Sequence, residues 1–429
     1  MKTLGEEMIR FIADLYPICR SITGDGVRET LRRVKERIPI EIHEVPSGTQ
    51  VFDWTVPREW NIRDAWIKNP RGEKIVDFQR LSLHVLNYSV PIHQKLPLSE
   101  LKAHLFTLPD QPDLVPYRTS YYKETWGFCL AHNQLLGLEE GEYEVLIDST
   151  LEDGSLTYGE LFLPGETAQE ILISCHVCHP SLCNDNLSGL AVCTFLAEEL
   201  ATRSIPPRRL SYRFVFIPGT IGSITWLALN EEKTKNIVGG LVAANLGDPG
   251  RFHYKRSRHG FGTVDRAVMQ VLLASGEAHR IEHFVPFGYD ERQYNSPGFQ
   301  LQVGSLTRTP YGRYPEYHTS ADNLDLVQPE SLAGSLRIYL AVMGALDGNR
   351  RYLNQNPKCE PQLGRRGLYR TVGGDDRGRQ RELALLWVLN YSDGKHGLLD
   401  IAEQSEMPFE AIREAAEALL EAGLLQEIP

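Results

Sequence analysis

The sequence predicts an α/β sandwich with a largely parallel sheet, a smaller β-rich insertion and a helical C-terminal module. Three observations lead there. Apolar strand-like runs alternate with amphipathic helical segments from about residue 171 to residue 346, the pattern of repeated βαβ units. The stretch from Val51 to Glu140 breaks that pattern with prolines at 57, 70, 91, 97, 109, 112 and 116 and with Trp54, Trp60, Trp66 and Trp126. The last fifty residues read as three helices closed by one β-like piece. A chain of 429 residues also exceeds one ordinary domain of about 150 residues. The expected division is an α/β domain from residues 1–50 and 141–350, an inserted β-rich domain at 51–140, and a linker with a helical module at 351–429.

Taken in order, Met8, Ile9, Phe11, Ile12 and Leu15 share one helical face, which Ser21-Ile22-Thr23-Gly24 ends. A second helix runs from Val27 to Arg37 and stops before Pro39; Ile40–Val45 alternates as a strand. Strands are expected at Tyr143–Ile147, Leu156–Leu163 and Ile171–Cys175, the first two joined by the turn dipeptide Asp153-Gly154. Helix Gly189–Arg203, strand Tyr212–Ile217, a helix near Ile224–Asn230 and strand Val238–Asn245 follow. Helix Val264–Ser275, strand Gln300–Val303 and helix Leu332–Leu346 complete the alternation. A basic, glycine-rich linker then leads to helices Arg381–Tyr391, Leu398–Gln404 and Phe409–Ala422 and to the terminal Leu424–Ile428, a winged-helix outline.

Composition excludes several functions. Forty-five basic against 56 acidic residues give a formal charge of −11, which opposes general nucleic-acid binding. From Gln380 to Pro429 three Lys/Arg face ten Asp/Glu, so the helical module predicts a protein partner or domain packing rather than DNA. No apolar run approaches the roughly 18 residues needed to span a bilayer. The N-terminal stretch carries acids and lacks a small-residue cleavage site, so no secretory signal is expected and the cytoplasm is the expected location. Seven cysteines, an odd and sparse set, fit a reduced protein. Cys175-His176-Val177-Cys178 has C-x-x-C spacing, but no helix starts between the thiols, and buried packing is their expected role.

Chemistry concentrates between Ile171 and Gly189. An apolar strand delivers His176 and then His179 at its carboxyl end, where open α/β sheets build their sites. A loop presents Asp185 before Ser188-Gly189 opens a helix. Imidazole and carboxylate together suit zinc or a similar divalent ion, although strand-end histidines can also be buried hydrogen-bonding residues. Two later segments add to this: Val242–Asp248 is a strand ending in an acid, and Pro315–Asp325 sets His318 before a loop of acids.

Together and in order, these segments resemble the zinc-dependent aminopeptidase and glutaminyl-cyclase superfamily. Leu172–His176 is similar to its first histidine strand, and Asp185-Asn186-Leu187-Ser188-Gly189 closely matches its bridging-ligand motif. Asn245-Leu246-Gly247-Asp248 resembles the aspartate-ligand segment, and Tyr317-His318-Thr319 with Asp322 the last. Tyr289–Tyr294, followed by Pro297-Gly298, is similar to a pocket-lining stretch. Nearly the whole chain resembles a narrower bacterial group. Its members are aminopeptidase-like proteins with an inserted β-domain and a C-terminal winged helix, often linked to polysaccharide biosynthesis. Trp54, Trp60, Trp126-Gly127-Phe128-Cys129 and Thr220-Ile221-Gly222-Ser223 carry that likeness. The resemblance implies an aminopeptidase-like three-layer sandwich and a zinc-dependent hydrolase of an amide, peptide-like or sugar-linked substrate.

Departures from the superfamily pattern shape the expected site. Cys178 stands where an aspartate orients the ligand histidine, and Pro218-Gly219-Thr220 stands where two glutamates are expected, a general base and a metal ligand. Neither Gly219 nor Thr220 can accept a proton near neutral pH. The expectation is therefore one zinc, held by His176, Asp185 and His318 or with Asp248, and with His179 able to join. Glu316 and Asp290 are the expected proton acceptors. Arg256, Arg258, Arg292, Tyr294 and Tyr317 are the expected substrate contacts. A non-catalytic metal-binding scaffold is the alternative.

Overall fold

A computed structural model describes residues 2–202, 208–369 and 376–428. An eight-stranded sheet organises most of it. From edge to edge its strands are Glu41–Pro46, Ser155–Leu163, Ser211–Ile217, Glu170–His176, Ile237–Ala243, Val303–Thr307, Phe252–Lys255 and His279–Glu282. The four central strands, from Ser211–Ile217 to Val303–Thr307, run parallel, and antiparallel pairs flank them.

Glu170–His176 lies at the centre of this sheet and is buried along its whole length. Its alternation decides which layer each side chain joins. Ile171, Ile173 and Cys175 enter a core with the helices Lys2–Leu15, Gly189–Thr202, Thr263–Ser275 and Pro329–Gly348. Leu172 enters a second core on the opposite face, shared with helix Ile221–Leu229 and the inserted domain. Burying each such aliphatic side chain stabilises the fold by about 1.5–3 kcal/mol. Helices on one face and a helix with the insertion on the other make the three layers.

The inserted domain contains a four-stranded antiparallel sheet ordered Lys74–Asp77, Glu59–Lys68, Glu142–Glu152 and Ile92–Pro97. The segment expected at Tyr143–Ile147 thus belongs to this small sheet, beyond the point where the proline-rich texture ends. Asp153-Gly154 passes the chain from one sheet to the other instead of closing a hairpin.

Other differences have local causes. The strand expected at Gln300–Val303 begins only at Val303, because Gln300 and Gln302 hold left-handed backbone angles, φ of 52° and 55°. The strand Phe252–Lys255 and the edge strand His279–Glu282 beside it were not expected, being only four residues each. Helix Gly189–Thr202 is described as far as Thr202; the expected end at Arg203 lies outside the described residues, as do residues 370–375 of the linker.

At the C-terminus, helices Asp376–Tyr391, Leu398–Ser405 and Phe409–Glu421 pack with a three-stranded sheet of Asp393–Gly397, Arg351–Asn354 and Leu425–Ile428. The central strand comes from the segment read as linker. Arg266 on helix Thr263–Ser275 pairs with Asp400 and Glu403 at 2.7 and 2.8 Å, tying this module to the α/β domain. Among the described residues, no helix is long and apolar enough to cross a membrane.

Candidate metal centre

His176 is the last residue of the central strand and is only 3% exposed. Seven residues further, the chain enters an irregular helical turn, Cys183–Ser188, which feeds directly into helix Gly189–Thr202. The polar residues of this turn stitch it to the end of the neighbouring strand. Asn186 Nδ2 donates to the carbonyls of His176 and Ala243, each at 3.2 Å. Asn184 Oδ1 accepts from the Gly247 N–H at 3.0 Å, and Ser188 Oγ accepts from the Leu246 N–H at 2.9 Å. Gly189 is required here: a β-carbon would sit 2.6 Å from the Ala243 carbonyl oxygen.

These restraints hold Asp185, which is fully buried, in the middle of three imidazoles. His176 Nε2 lies 2.9 Å from Oδ1, while His318 Nε2 and His179 Nε2 lie 3.0 and 3.9 Å from Oδ2. Among the described residues no lysine or arginine pairs with this carboxylate. Burial opposes its charge, but the surrounding histidines outweigh that penalty and hold Asp185 well below the usual carboxylate range. Desolvation lowers His179 to about 3, so its imidazole is neutral at physiological pH.

The donor atoms of His176, His179 and Asp185 all lie within 4.8 Å of one another. Imidazoles around a buried carboxylate form a donor set suited to zinc or a similar divalent ion, so these residues fit a metal. His318 adjoins them through the second oxygen of Asp185.

The surroundings fix the ligands. Asp322, itself fully buried, accepts the backbone N–H groups of Asn184 at 2.5 Å and Asp185 at 3.0 Å. Burial pushes Asp322 up to about 7, the two N–H donors opposing and the charge of Asp185 adding to the shift. Tyr289 stacks on His176, with ring centroids 5.1 Å apart, and Tyr317 stacks on His318 at 3.9 Å. From the inserted domain, the Tyr117 ring lies 5.1 Å from His179 and 5.0 Å from His318. Its backbone N–H donates to the His318 carbonyl at 2.7 Å. The insertion therefore covers one side of the centre.

The other expected residues fall in different places. Asp248 turns away: it accepts from Asn184 Nδ2 at 3.1 Å, the Gly250 N–H at 2.8 Å and Thr309 Oγ1 at 2.5 Å. Both its oxygens thus brace loops, and it joins no ligand cluster. Glu316 contributes its backbone carbonyl to the Thr319 turn, at 2.7 Å from Thr319 Oγ1. Tyr294 is fully buried with its hydroxyl 2.9 Å from Ser174 Oγ, so it packs beneath the cleft and not along it. Arg256 lies against Phe261 and donates to His283 at 2.7 Å, and Arg258 is exposed. Arg292 is half-buried beside Thr220, 3.4 Å from its hydroxyl.

Asp290 is differently placed. It is 2% exposed, and its Oδ1 accepts from Ser223 Oγ at 2.8 Å. A β-carbon at Gly219 would stand 3.3 Å from the Cβ of His176 and 3.4 Å from Asp290 Oδ2. The Asp290 carboxylate therefore borders the space that a side chain at position 219 would enter, next to the metal-site histidine. Burial raises it to about 6, against the pull of His176 and the Ser223 hydrogen bond. Sequence spacing missed Tyr117 altogether, because nothing in the insertion marks it as facing residues some 60 to 200 positions away. Tyr289 lay within a quoted motif but carried no sign of stacking.

Comparison with known proteins bears on the family and the fold. Residues 9–349 match a family described as a domain of unknown function, DUF4910, and residues 350–427 match a winged helix-turn-helix family. A Clostridium acetobutylicum protein, named for polysaccharide biosynthesis and an aminopeptidase-like domain, is 53% identical over 422 residues, covering 98% of this chain and 96% of that one. The crystal structure of a candidate peptidase from the same organism superposes with a TM-score of 0.94 at 52% identity, covering 100% and 97% of the two chains. A zinc aminopeptidase from Bacillus subtilis shares the fold alone, with a TM-score of 0.56 and 12% identity over 79% of this chain and 94% of its own. The chain belongs to the DUF4910 family, built on an aminopeptidase-like α/β fold with a C-terminal winged helix.

Proposed function

We propose that this chain is a metal-dependent hydrolase of an amide or peptide-like bond, working with a single divalent ion, zinc by its donor set. The observation that carries this reading is the convergence of His176, His179 and His318 on the buried carboxylate of Asp185. The ion, when bound, supplies Lewis acidity toward a substrate carbonyl and a water molecule. The rest is work for the chain's own side chains. Asp290 accepts the proton of the attacking water: its Oδ2 borders the gap left by Gly219, and Ser223 fixes the other oxygen. Tyr289 and Tyr117 wall the centre on two sides and limit the entry of bulk water. Tyr317 holds the His318 ring in place by stacking.

The aminopeptidase-like fold supports a peptide-like substrate, and the name of the Clostridium relative supports an amide carried on a sugar-linked molecule. The test uses purified, zinc-loaded protein against aminoacyl amides and N-acyl amino sugars. Turnover abolished by chelation and by Asp185→Ala supports the hydrolase. A second reading, a metal-binding scaffold without catalysis, is favoured by Pro218-Gly219-Thr220, which offers no carboxylate of its own. It predicts full metal occupancy with no turnover on either substrate class.

A further inference from the structure

We infer that Arg292 is a specificity residue that binds a carboxylate or phosphate group on the substrate, adjacent to the bond that is cut. This deepens the hydrolase reading and rests on it for the identity of the cleft.

Arg292 follows Asp290 by two positions, on the short helix Glu291–Tyr294. Its guanidinium reaches the loop that carries Gly219, with Nη2 3.4 Å from Thr220 Oγ1, a long contact to a neutral group. Its Nε–H is buried and has no hydrogen-bond partner among the described residues. The acids nearest in sequence are already engaged. Asp290 accepts from Ser223, and Glu291 pairs with Lys255. Two other arginines near the cleft are engaged: Arg313 pairs with Glu282 through two nitrogens, and Arg308 bonds Ser335 and the Gly250 carbonyl.

A half-buried guanidinium beside a reactive centre, without a carboxylate of its own, is a recognition group for an anion. Its fork of N–H donors fits carboxylate or phosphate oxygens bidentately, and charge-assisted bonds of this kind are the strong ones. A buried N–H left without a partner is unfavourable, and a ligand oxygen relieves it. The loop it touches favours the same occupant. Pro218-Gly219-Thr220 carries no acid of its own, so the negative group can lie on the Thr220 side of the loop, beside Arg292, while the scissile bond faces His176 and Asp290 near Gly219. A neutral amide carbonyl can accept one of these N–H groups but gains less than an anion, which adds its charge and a second oxygen.

Isothermal titration of the metal-free full chain with sodium phosphate and, separately, with sodium succinate tests the inference without any need for catalysis. Wild type should bind at least one of the two with 1:1 stoichiometry, and the preferred anion distinguishes phosphate from carboxylate as the natural group. Arg292→Met should weaken that binding at least about tenfold, Arg292→Lys should keep part of it, and Thr220→Val should leave most of it. Arg63→Met, on the small sheet, should change nothing. The inference is overturned if neither anion binds, or if a folded Arg292→Met, checked by circular dichroism, binds as wild type does. A zinc-loaded chain that hydrolyses nothing would sink the hydrolase reading and leave Arg292-dependent anion binding standing.

Discussion

His318 Nε2 lies 3.0 Å from Oδ2 of Asp185, although 133 positions separate the two residues. The same carboxylate meets His176 through its other oxygen. Removing it takes away the carboxylate on which the three imidazoles converge. Asp185→Ala should therefore abolish stoichiometric zinc binding, read by plasma emission after dialysis. The zinc-induced rise in melting temperature should vanish with it. A variant that retains one zinc per chain would refute this assignment.

Asp290→Asn separates proton transfer from metal binding. The amide keeps the shape and can still face Ser223, so metal content should stay at the wild-type level. Turnover should fall about 10²–10⁴-fold, the usual cost of losing a positioned base. Unchanged kcat would assign the proton acceptor elsewhere.

Tyr117 couples the inserted domain to the metal centre. It is 4% exposed and shares a 2.8 Å hydroxyl–hydroxyl hydrogen bond with Tyr121. Tyr117→Ala should cost about 3–5 kcal/mol in urea unfolding, as large aromatic truncations do. Tyr117→Phe, losing one hydrogen bond, should cost about 1 kcal/mol. Zinc affinity should drop for the alanine variant and hold for the phenylalanine variant, because the ring alone packs on His179 and His318.

Acid should weaken the seam between the helix Asp25–Lys35 and the small sheet. Arg28 grips Glu59 at 2.6 and 2.7 Å, and the Ser155 N–H donates to the same carboxylate at 2.8 Å. The Arg28 hydrogen bonds hold Glu59 down to about 2 from an ordinary 4.5. A depressed folded-state value stabilises above the unfolded one, so the contribution is complete above pH 4.5 and disappears as pH falls toward 2. Glu59→Gln should cost about 1–3 kcal/mol at pH 7 and much less at pH 3. Parallel urea melts at the two pH values check this.

Much of the layout follows from local pattern. The fully apolar run Ile171–Ile173, ending in His176, needs burial on both faces, which only a central strand of a covered sheet provides. Asp185-Asn186-Leu187-Ser188-Gly189 announces a tight loop entering a helix, and the structure shows why each polar member is needed. The winged helix was equally legible, because the three amphipathic segments and the closing β-like piece are set by local apolar period.

Other features are decided only in three dimensions. Asp248 ends its segment as an acidic ligand should, yet Thr309 and Asn184 claim both its oxygens. Gly219 carries no chemistry as a residue, yet the space beside it is bordered by an acid from a loop about 70 positions later. Sequence by itself determined which segments become buried strands and helices, because that depends on the period of apolar residues along the chain. Which donors face Asp185, and where Arg292 comes to rest beside Thr220, depends on how distant loops meet above the sheet edge. Packing settles that, and no spacing encodes it.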